Sequence, residues 1–419
     1  MEILHRRLTP RIEHSLKTDR VTSLMGPRQA GKTTLVRHLL QCDREIKYYN
    51  LKNPLVRQAL KENSRREFAY FKDALIILDE VQTMPSLLEL IQLQVDESPE
   101  RKGRFLLLGS NHLLLNRHIK ESLAGRVALF TLLPFSFAEM IGSTETTFLE
   151  RLLAAPDREA CAPMLESLYV PLEQSSLYAD NFEDLNRFGG YPEFLHRKDP
   201  EDRIAWLGSY HQTYLETDLR QLVELRNPES FEIFEKMFAL RVGNLMNISE
   251  LGRDCGLTAD TVRRFIGYYK QLFIAWQARP YHINPGKRMM KMSKYFFYDT
   301  GVLRSISGDF SGNSGQLFEN TILAEVKKIL SFHGTEEKLY FARTATGVEA
   351  DGLLWSFNGK ITFFLEVKQT ENIHPKDLRH LKKYVHESEN SLGLLIYNGS
   401  QCKRLERYIW AIPAPWLFA

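Results

Sequence analysis

The stretch Gly26-Pro27-Arg28-Gln29-Ala30-Gly31-Lys32-Thr33-Thr34 fits G-x-x-x-x-G-K-[ST], the pattern of a loop that wraps nucleotide phosphates. Its flanks are those such a loop needs. Val21, Ser23 and Leu24 suit a strand before it, and Leu35, Val36, Leu39 and Leu40 recur at helical spacing after it. Glycines let the backbone turn tightly and aim N–H groups at a polyphosphate, and the helix N-terminus adds partial positive charge. Lys32 is expected to reach the β- and γ-phosphates, and the Thr33 hydroxyl to ligate Mg²⁺. A glycine turn can match by accident, but the intact flanks favour a nucleoside triphosphate site.

Working outward, Ile46 to Leu51 reads as a second strand, ended by Asn53-Pro54. Ala74-Leu75-Ile76-Ile77-Leu78-Asp79-Glu80 is a continuous apolar run closed by two acids, which is how a buried parallel strand presents carboxylates at its tip. Asp79 is placed to hold Mg²⁺, and Glu80 to take a proton from the attacking water as general base. A further apolar strand, Phe105 to Leu108, ends in Gly109-Ser110-Asn111. Asn111, with Ser110 second, is the candidate sensor of the γ-phosphate, or else a cap of the next helix. Arg126, ahead of a strand from Val127 to Leu132, is either an arginine finger for a neighbouring subunit's nucleotide or an ordinary surface arginine. Residues 1 to 20 read as an amphipathic helix with Ile3, Leu4, Leu8, Ile12 and Leu16 as its stripe.

The chain has 419 residues, too many for one core. Its 55 basic and 52 acidic residues leave a net charge of +3, so any basic surface must be local. Cys42, Cys161, Cys255 and Cys402 are far apart with no C-x-x-C, which argues against zinc and disulfides and for a reducing cytoplasm. The charged start is unlike a signal peptide, and no apolar run approaches about 18 residues, so no membrane anchor is expected.

GPRQAGKTTL, LIILDEVQ, LLLGSN, SLAGRV and LPFSFAEM, in this order, resemble the prokaryotic ATPases of the AAA+ class. The likeness is to the branch with a C-terminal domain of uncharacterised function. LNRFGGYPEFL (185–195) and FFYDTGVLRSISG (296–308) are similar to later blocks of that branch, so the resemblance spans nearly the whole chain. It implies Mg²⁺, a homo-oligomer, and a lid and linker across the leucine-rich segment 145–235. One departure stands out: after the second strand the family tends to carry acids, whereas this chain has Lys52 and Asn53.

Ile248 to Leu257, then Thr258 to Leu272, form a helix-turn-helix pattern closing at Gly256, with Thr261, Arg263 and Arg264 near the start of the second helix. Polar and basic groups there suit base edges and phosphates. Trp276 to Tyr298 reads as a hairpin turning at Asn284-Pro285-Gly286 and studded by Lys287, Arg288, Lys291 and Lys294, a basic wing. Such modules also dock protein or close over the nucleotide.

From Ser311 strands and helices alternate. A helix from Gly315 carries Glu319; a strand opens at Glu349-Ala350-Asp351; and Ile361 to Lys368 is a strand in which Glu366 and Lys368 share a face. Carboxylates beside a lysine suit metal-assisted phosphodiester hydrolysis: Glu319, Asp351 and Glu366 as Mg²⁺ ligands, with Asp351, Glu366 and Lys368 as catalytic groups. Two amphipathic strands with exposed charges are the plainer reading. The order Glu…Asp…Glu-x-Lys resembles the restriction-endonuclease-like superfamily, although Gly352 stands where related ATPases carry a bulky apolar residue.

The expected fold is α/β: a P-loop parallel-sheet ATPase domain (1–145), a helical and winged helix-turn-helix middle (146–310), and a restriction-endonuclease-like α/β domain (311–419). The expected function is ATP binding and hydrolysis coupled to action on DNA. The alternative is an ATP-gated switch that binds a protein partner and whose nuclease-like domain is catalytically silent.

Overall fold

A computed structural model describes residues 3–110, 123–215, 228–281, 292–312, 314–344 and 346–419. The chain divides into two units. One comprises Met1–Pro134, Tyr191–Glu193 and Gln271–Phe273; the other comprises Phe135–Gly190, Phe194–Lys270 and Ile274–Ala419.

The first unit is built on strands β1 (Val21–Met25), β2 (Ile46–Asn50), β3 (Leu75–Asp79), β4 (Phe105–Gly109) and β5 (Val127–Thr131), in the order β2-β3-β4-β1-β5. Each neighbouring pair is parallel. The apolar runs of β1, β3 and β4 are buried along their whole length, whereas edge strands β2 and β5 are partly exposed. That is the burial a parallel sheet covered on both faces imposes on its central strands. Parallel strands end at one rim, so the phosphate loop after β1, the acids of β3 and Ser110 after β4 are carried to the same side. Because β4 lies between β1 and β3, its tip stands between the loop and the acids.

The N-terminal helix is shorter than its stripe predicts. It runs Thr9–Thr18, with proline at the first turn, and buries Leu8, Ile12 and Leu16. Pro10 is suited to a helix start and to no later position, which leaves Arg6 in the turn ahead of the helix, its carbonyl accepting from the Thr9 N–H at 3.0 Å.

The second unit holds helices followed by strands β6 (Ala275–Pro280), β7 (Lys294–Phe297), β8 (Tyr340–Arg343), β9 (Glu349–Trp355), β10 (Thr362–Lys368), β11 (Ser391–Tyr397), β12 (Lys403–Glu406) and β13 (Ile409–Pro413). They form one mixed sheet in the order β12-β13-β11-β10-β9-β8-β6-β7. Ala275 to Ala278 of β6 pair antiparallel with β7, while Arg279 and Pro280 pair parallel with β8. The hairpin expected as a free wing thus continues the sheet of the C-terminal strands, and the segments expected to separate at residue 310 share it.

Helix Gly315–Phe332 is buried along most of its length, and its polar residues are tied to distant segments. Asn320 accepts from the Phe297 N–H at 2.7 Å, and Thr321 donates to Asn186 at 2.8 Å. Glu325 accepts from the Phe137 N–H at 2.7 Å, and Lys328 donates to the Phe135 carbonyl at 2.9 Å. Asp299 accepts from the Gly190 N–H at 2.8 Å and from that of Val302 at 3.0 Å. The blocks around residues 135, 186 and 299 therefore act as structural anchors, since buried backbone and side-chain groups must be paired.

Candidate functional site

In the first unit the loop after β1 has the geometry its glycines require. Gly26 sits at φ +150°, where a Cβ would lie 2.0 Å from the Leu132 carbonyl oxygen, and Gly31 sits at φ +93°. Pro27, Arg28, Gln29 and Ala30 form the turn between them, with Gln29 at φ +61°. Lys32 opens the helix and is buried; its ammonium donates to the carbonyls of Gly26 (2.9 Å) and Pro27 (2.7 Å). Burial pulls its pKa down to about 8, against the opposing pull of Glu80 and Asp79. Thr34 follows within the same short helix.

The Thr33 hydroxyl donates to Asp79 Oδ2 at 2.9 Å, and the Tyr48 hydroxyl donates to the same oxygen. Two hard oxygen ligands side by side on the loop helix and the β3 tip fit Mg²⁺, which prefers oxygen donors. Tyr48 lies under the Arg37 guanidinium, 4.1 Å from its ring centre.

Glu80 adopts a left-handed backbone (φ +60°, ψ +45°), a conformation uncommon for a residue with a side chain. Both carboxylate oxygens are engaged. Lys52 pairs with Oε1 at 2.6 Å; Gln82 and Ser110 donate to Oε2, the latter at 2.9 Å. Burial raises the acid's pKa, but the Lys52 ammonium and the two neutral donors outweigh it, leaving Glu80 below the usual carboxylate value. A base so engaged is ionised but must turn away from its donors to meet a water. Arg126, the candidate finger, makes a two-pronged pair with Asp96 of its own chain (2.6 and 2.9 Å). Asn111 lies outside the described residues.

Several residues at this site were not singled out from the sequence. Arg6 is buried and donates to the carbonyls of Ala30 (2.7 Å) and Leu133 (2.6 Å), bracing the phosphate loop from 24 residues away. Nothing in the run His5-Arg6-Arg7 announces which arginine turns inward. Tyr48, Gln82 and Lys52 likewise gain roles from pairing, although Lys52 was visible as a departure from the family pattern.

In the second unit Glu319, Asp351, Glu366 and Lys368 come together. Register sets Gly352 opposite Leu365, so Asp351 falls beside Glu366, and Asp351 Oδ2 accepts from the Val367 N–H at 2.8 Å. A Cβ on Gly352 would approach Leu365 Cδ1 to 2.9 Å, a reason for glycine there. Lys368 pairs with Glu366 at 2.7 Å. An open cleft of about 510 Å³ is lined by Glu319, Asp351 and Lys368, with Gly315 and Gln316 from the helix start. Burial pushes the Glu319, Asp351 and Glu366 carboxyls up, and the Asp351 charge adds to this for the two glutamates.

Lys294 corrects the basic-wing reading. It is 4% exposed, and its ammonium pairs with Glu349 (2.5 Å) and Glu319 (3.3 Å). Burial pulls its pKa down, but the carboxylates of Glu319, Asp351 and Glu349 reverse this and hold the proton on. The reason lies in topology: β7 is joined through β6 to the C-terminal sheet, and position 294 faces inward. Lys287, Arg288 and Lys291 lie outside the described residues. With an ammonium among the carboxylates, the cluster does not fit the expected Mg²⁺ ligand set of Glu319, Asp351 and Glu366. Among the described residues no group of three or more His, Cys, Asp or Glu is arranged to hold a metal ion.

The five-stranded parallel sheet, the loop at its rim and the acids beside it are consistent with a P-loop ATPase fold. Residues 18–141 match the AAA domain family, 179–313 a domain of unknown function (DUF8612), and 314–417 a second domain of unknown function (DUF4143). These matches support an AAA-type ATPase with a C-terminal domain of unknown function. The chain is also similar to Uncharacterized protein Mb2031c of Mycobacterium bovis and to Uncharacterized protein Rv2008c of Mycobacterium tuberculosis. Each is 27% identical over 421 residues, covering 99% of this chain and 84% of the relative. No helix among the described residues is long and apolar enough to cross a membrane.

Proposed function

We propose that the protein binds and hydrolyses ATP at the loop of residues 26–34, and that its C-terminal region serves as an ATP-gated binding device rather than a nuclease. The observation that carries the first half is the convergence of the Lys32 loop, the Thr33–Asp79 pair and Glu80 on one rim of the sheet. Lys32 binds the β- and γ-phosphates, and the backbone of Gly26 to Gly31 encloses them. Thr33 and Asp79 would hold Mg²⁺, which supplies charge neutralisation on the phosphates. Glu80, once released from Lys52, Gln82 and Ser110, takes the proton of the attacking water. Ser110, and Asn111 beside it, orient that water. Arg126 as a finger toward a second copy requires its pair with Asp96 to open.

The test is ATP turnover by Glu80→Gln against wild type. Losing a general base costs about 10²-fold or more in rate, while ATP binding should persist. Wild-type turnover in a clean Glu80→Gln preparation would remove Glu80 from this role.

The cation inside the C-terminal cluster favours the silent reading of that region, with a protein as the bound partner. DNA remains the second reading on one observation. Arg263 and Arg264 are exposed near the start of helix Ala259–Gln271, where a winged helix-turn-helix would meet a phosphate backbone. Here Arg263 pairs with Asp260 at 2.6 Å. ATPase activity stimulated by DNA with a steep salt dependence would support that reading, and indifference to DNA would remove it.

A further inference from the structure

We propose that Lys294 is the resident cation of the C-terminal carboxylate cluster, filling the place of a divalent metal and keeping metal out of it. The inference rests on the reading of the C-terminal region as catalytically silent and names the residue responsible.

The charges argue for it. Four carboxylates, those of Glu319, Glu349, Asp351 and Glu366, crowd one end of the sheet, with Asp351 within electrostatic reach of the other three. Three cations meet them: Lys294 on Glu319 and Glu349, Arg343 on Glu349 at 2.7 Å, and Lys368 on Glu366 at 2.7 Å. Lys368 and Arg343 are more than a third exposed, whereas the side chain of Lys294 is 5% exposed. Lys294 is therefore the cation that neutralises the interior of the cluster, where an uncompensated charge is most costly. Remove it, and the cations left are Arg343 and Lys368, both more than a third exposed, with none inside the cluster.

Glu366 Oε2 is buried without a hydrogen-bond partner, an acceptor left over on a 3%-exposed residue. Glu319 Oε2 lies against Gly243, at 3.3 Å from where a Cβ would stand, so this oxygen is packed against bare backbone. The cluster thus has hard oxygen donors of the kind that hold Mg²⁺ or Mn²⁺, but the place among them is taken by an ammonium delivered from β7. An ammonium cannot activate a water as a divalent ion does, so the fold keeps its acids without the chemistry they would support.

The experiment uses nucleotide-free full-length protein and Mn²⁺ alone, followed by electron paramagnetic resonance of the free ion. With Asp79→Ala carried in every protein compared, so that the phosphate-loop pair cannot hold the ion, the chain with Lys294 intact should take up no Mn²⁺ at concentrations on the order of 1 mM. Lys294→Met should gain one bound ion per chain, Lys294→Arg should gain none, and Lys294→Met with Asp351→Asn should lose the gain. Equal uptake by wild type and Lys294→Met, or none by a Lys294→Met protein with wild-type circular dichroism, would overturn the proposal. If Lys294→Met does not fold, wild type decides. A Mn²⁺-dependent rise in its melting temperature that Asp351→Asn abolishes overturns the proposal, and no such rise supports it. Failure of the silent reading is seen separately, as cleavage of supercoiled or single-stranded DNA by wild type.

Discussion

ATP affinity should weaken as pH rises above neutrality, because Lys32 enters the free protein with a weakened hold on its proton. Burial within the loop brings its pKa down to about 8. A bound triphosphate places negative charge beside the ammonium and holds the proton on across this range. Binding is then coupled to proton uptake, and affinity follows the protonated fraction of the free protein. That fraction falls about tenfold between about pH 7 and about pH 9 for a group titrating near 8, a loss of about 1.4 kcal/mol. Folding stability responds to pH in the opposite sense to ATP affinity. A lysine whose folded pKa is depressed costs stability while both states would be charged, and the cost is relieved as pH rises from about 8 toward its ordinary value. The assay is titration with a fluorescent ATP analogue at constant ionic strength across this pH range, with proton uptake measured by calorimetry in two buffers. A dissociation constant that stays flat, with no proton taken up, would refute either the depressed pKa or the contact between Lys32 and phosphate.

Two further outcomes follow from the first unit. Lys52→Ala should raise basal ATP turnover about two- to fivefold, because the half-exposed pair that restrains Glu80 contributes about 0.5–1 kcal/mol; an unchanged or slower rate would show that Lys52 does not hold the base at rest. Arg6→Ala removes two buried charge-assisted hydrogen bonds and strands the Ala30 and Leu133 carbonyls, so the unfolding free energy should fall by about 3 kcal/mol in urea titrations and ATP affinity should fall with it. A variant with wild-type stability and affinity would deny Arg6 its bracing role.

The nucleotide site was legible in the sequence because its demands are local. A tight phosphate loop requires glycines at fixed spacing, and Gly26 is now seen to be required by the Leu132 carbonyl 2.0 Å from where its side chain would begin. A buried parallel strand requires an unbroken apolar run, so β1, β3 and β4 announced themselves, and Asp79 and Glu80 were placed by ending one of them. In the C-terminal region the period of two along β10 was enough to put Glu366 and Lys368 on one face, and they meet at 2.7 Å.

What only the tertiary structure decided was where the long charged side chains end. Lys52 read as a departure from the family's acidic pattern, and Lys294 as part of a basic wing. Their destinations depend on partners 28 and 25 residues away or more, Glu80 in one case and Glu319 with Glu349 in the other. Arg6 is the same case at the N-terminus. A strand's sequence shows which residues share a face, but not what that face meets. For β7 the answer came from β6, which bends from the hairpin onto β8 and carries Lys294 into the carboxylates. Contiguous residues determined where the loop glycines and the Thr33–Asp79 pair lie. The pairing of distant strands decided that the second acidic site already holds a cation.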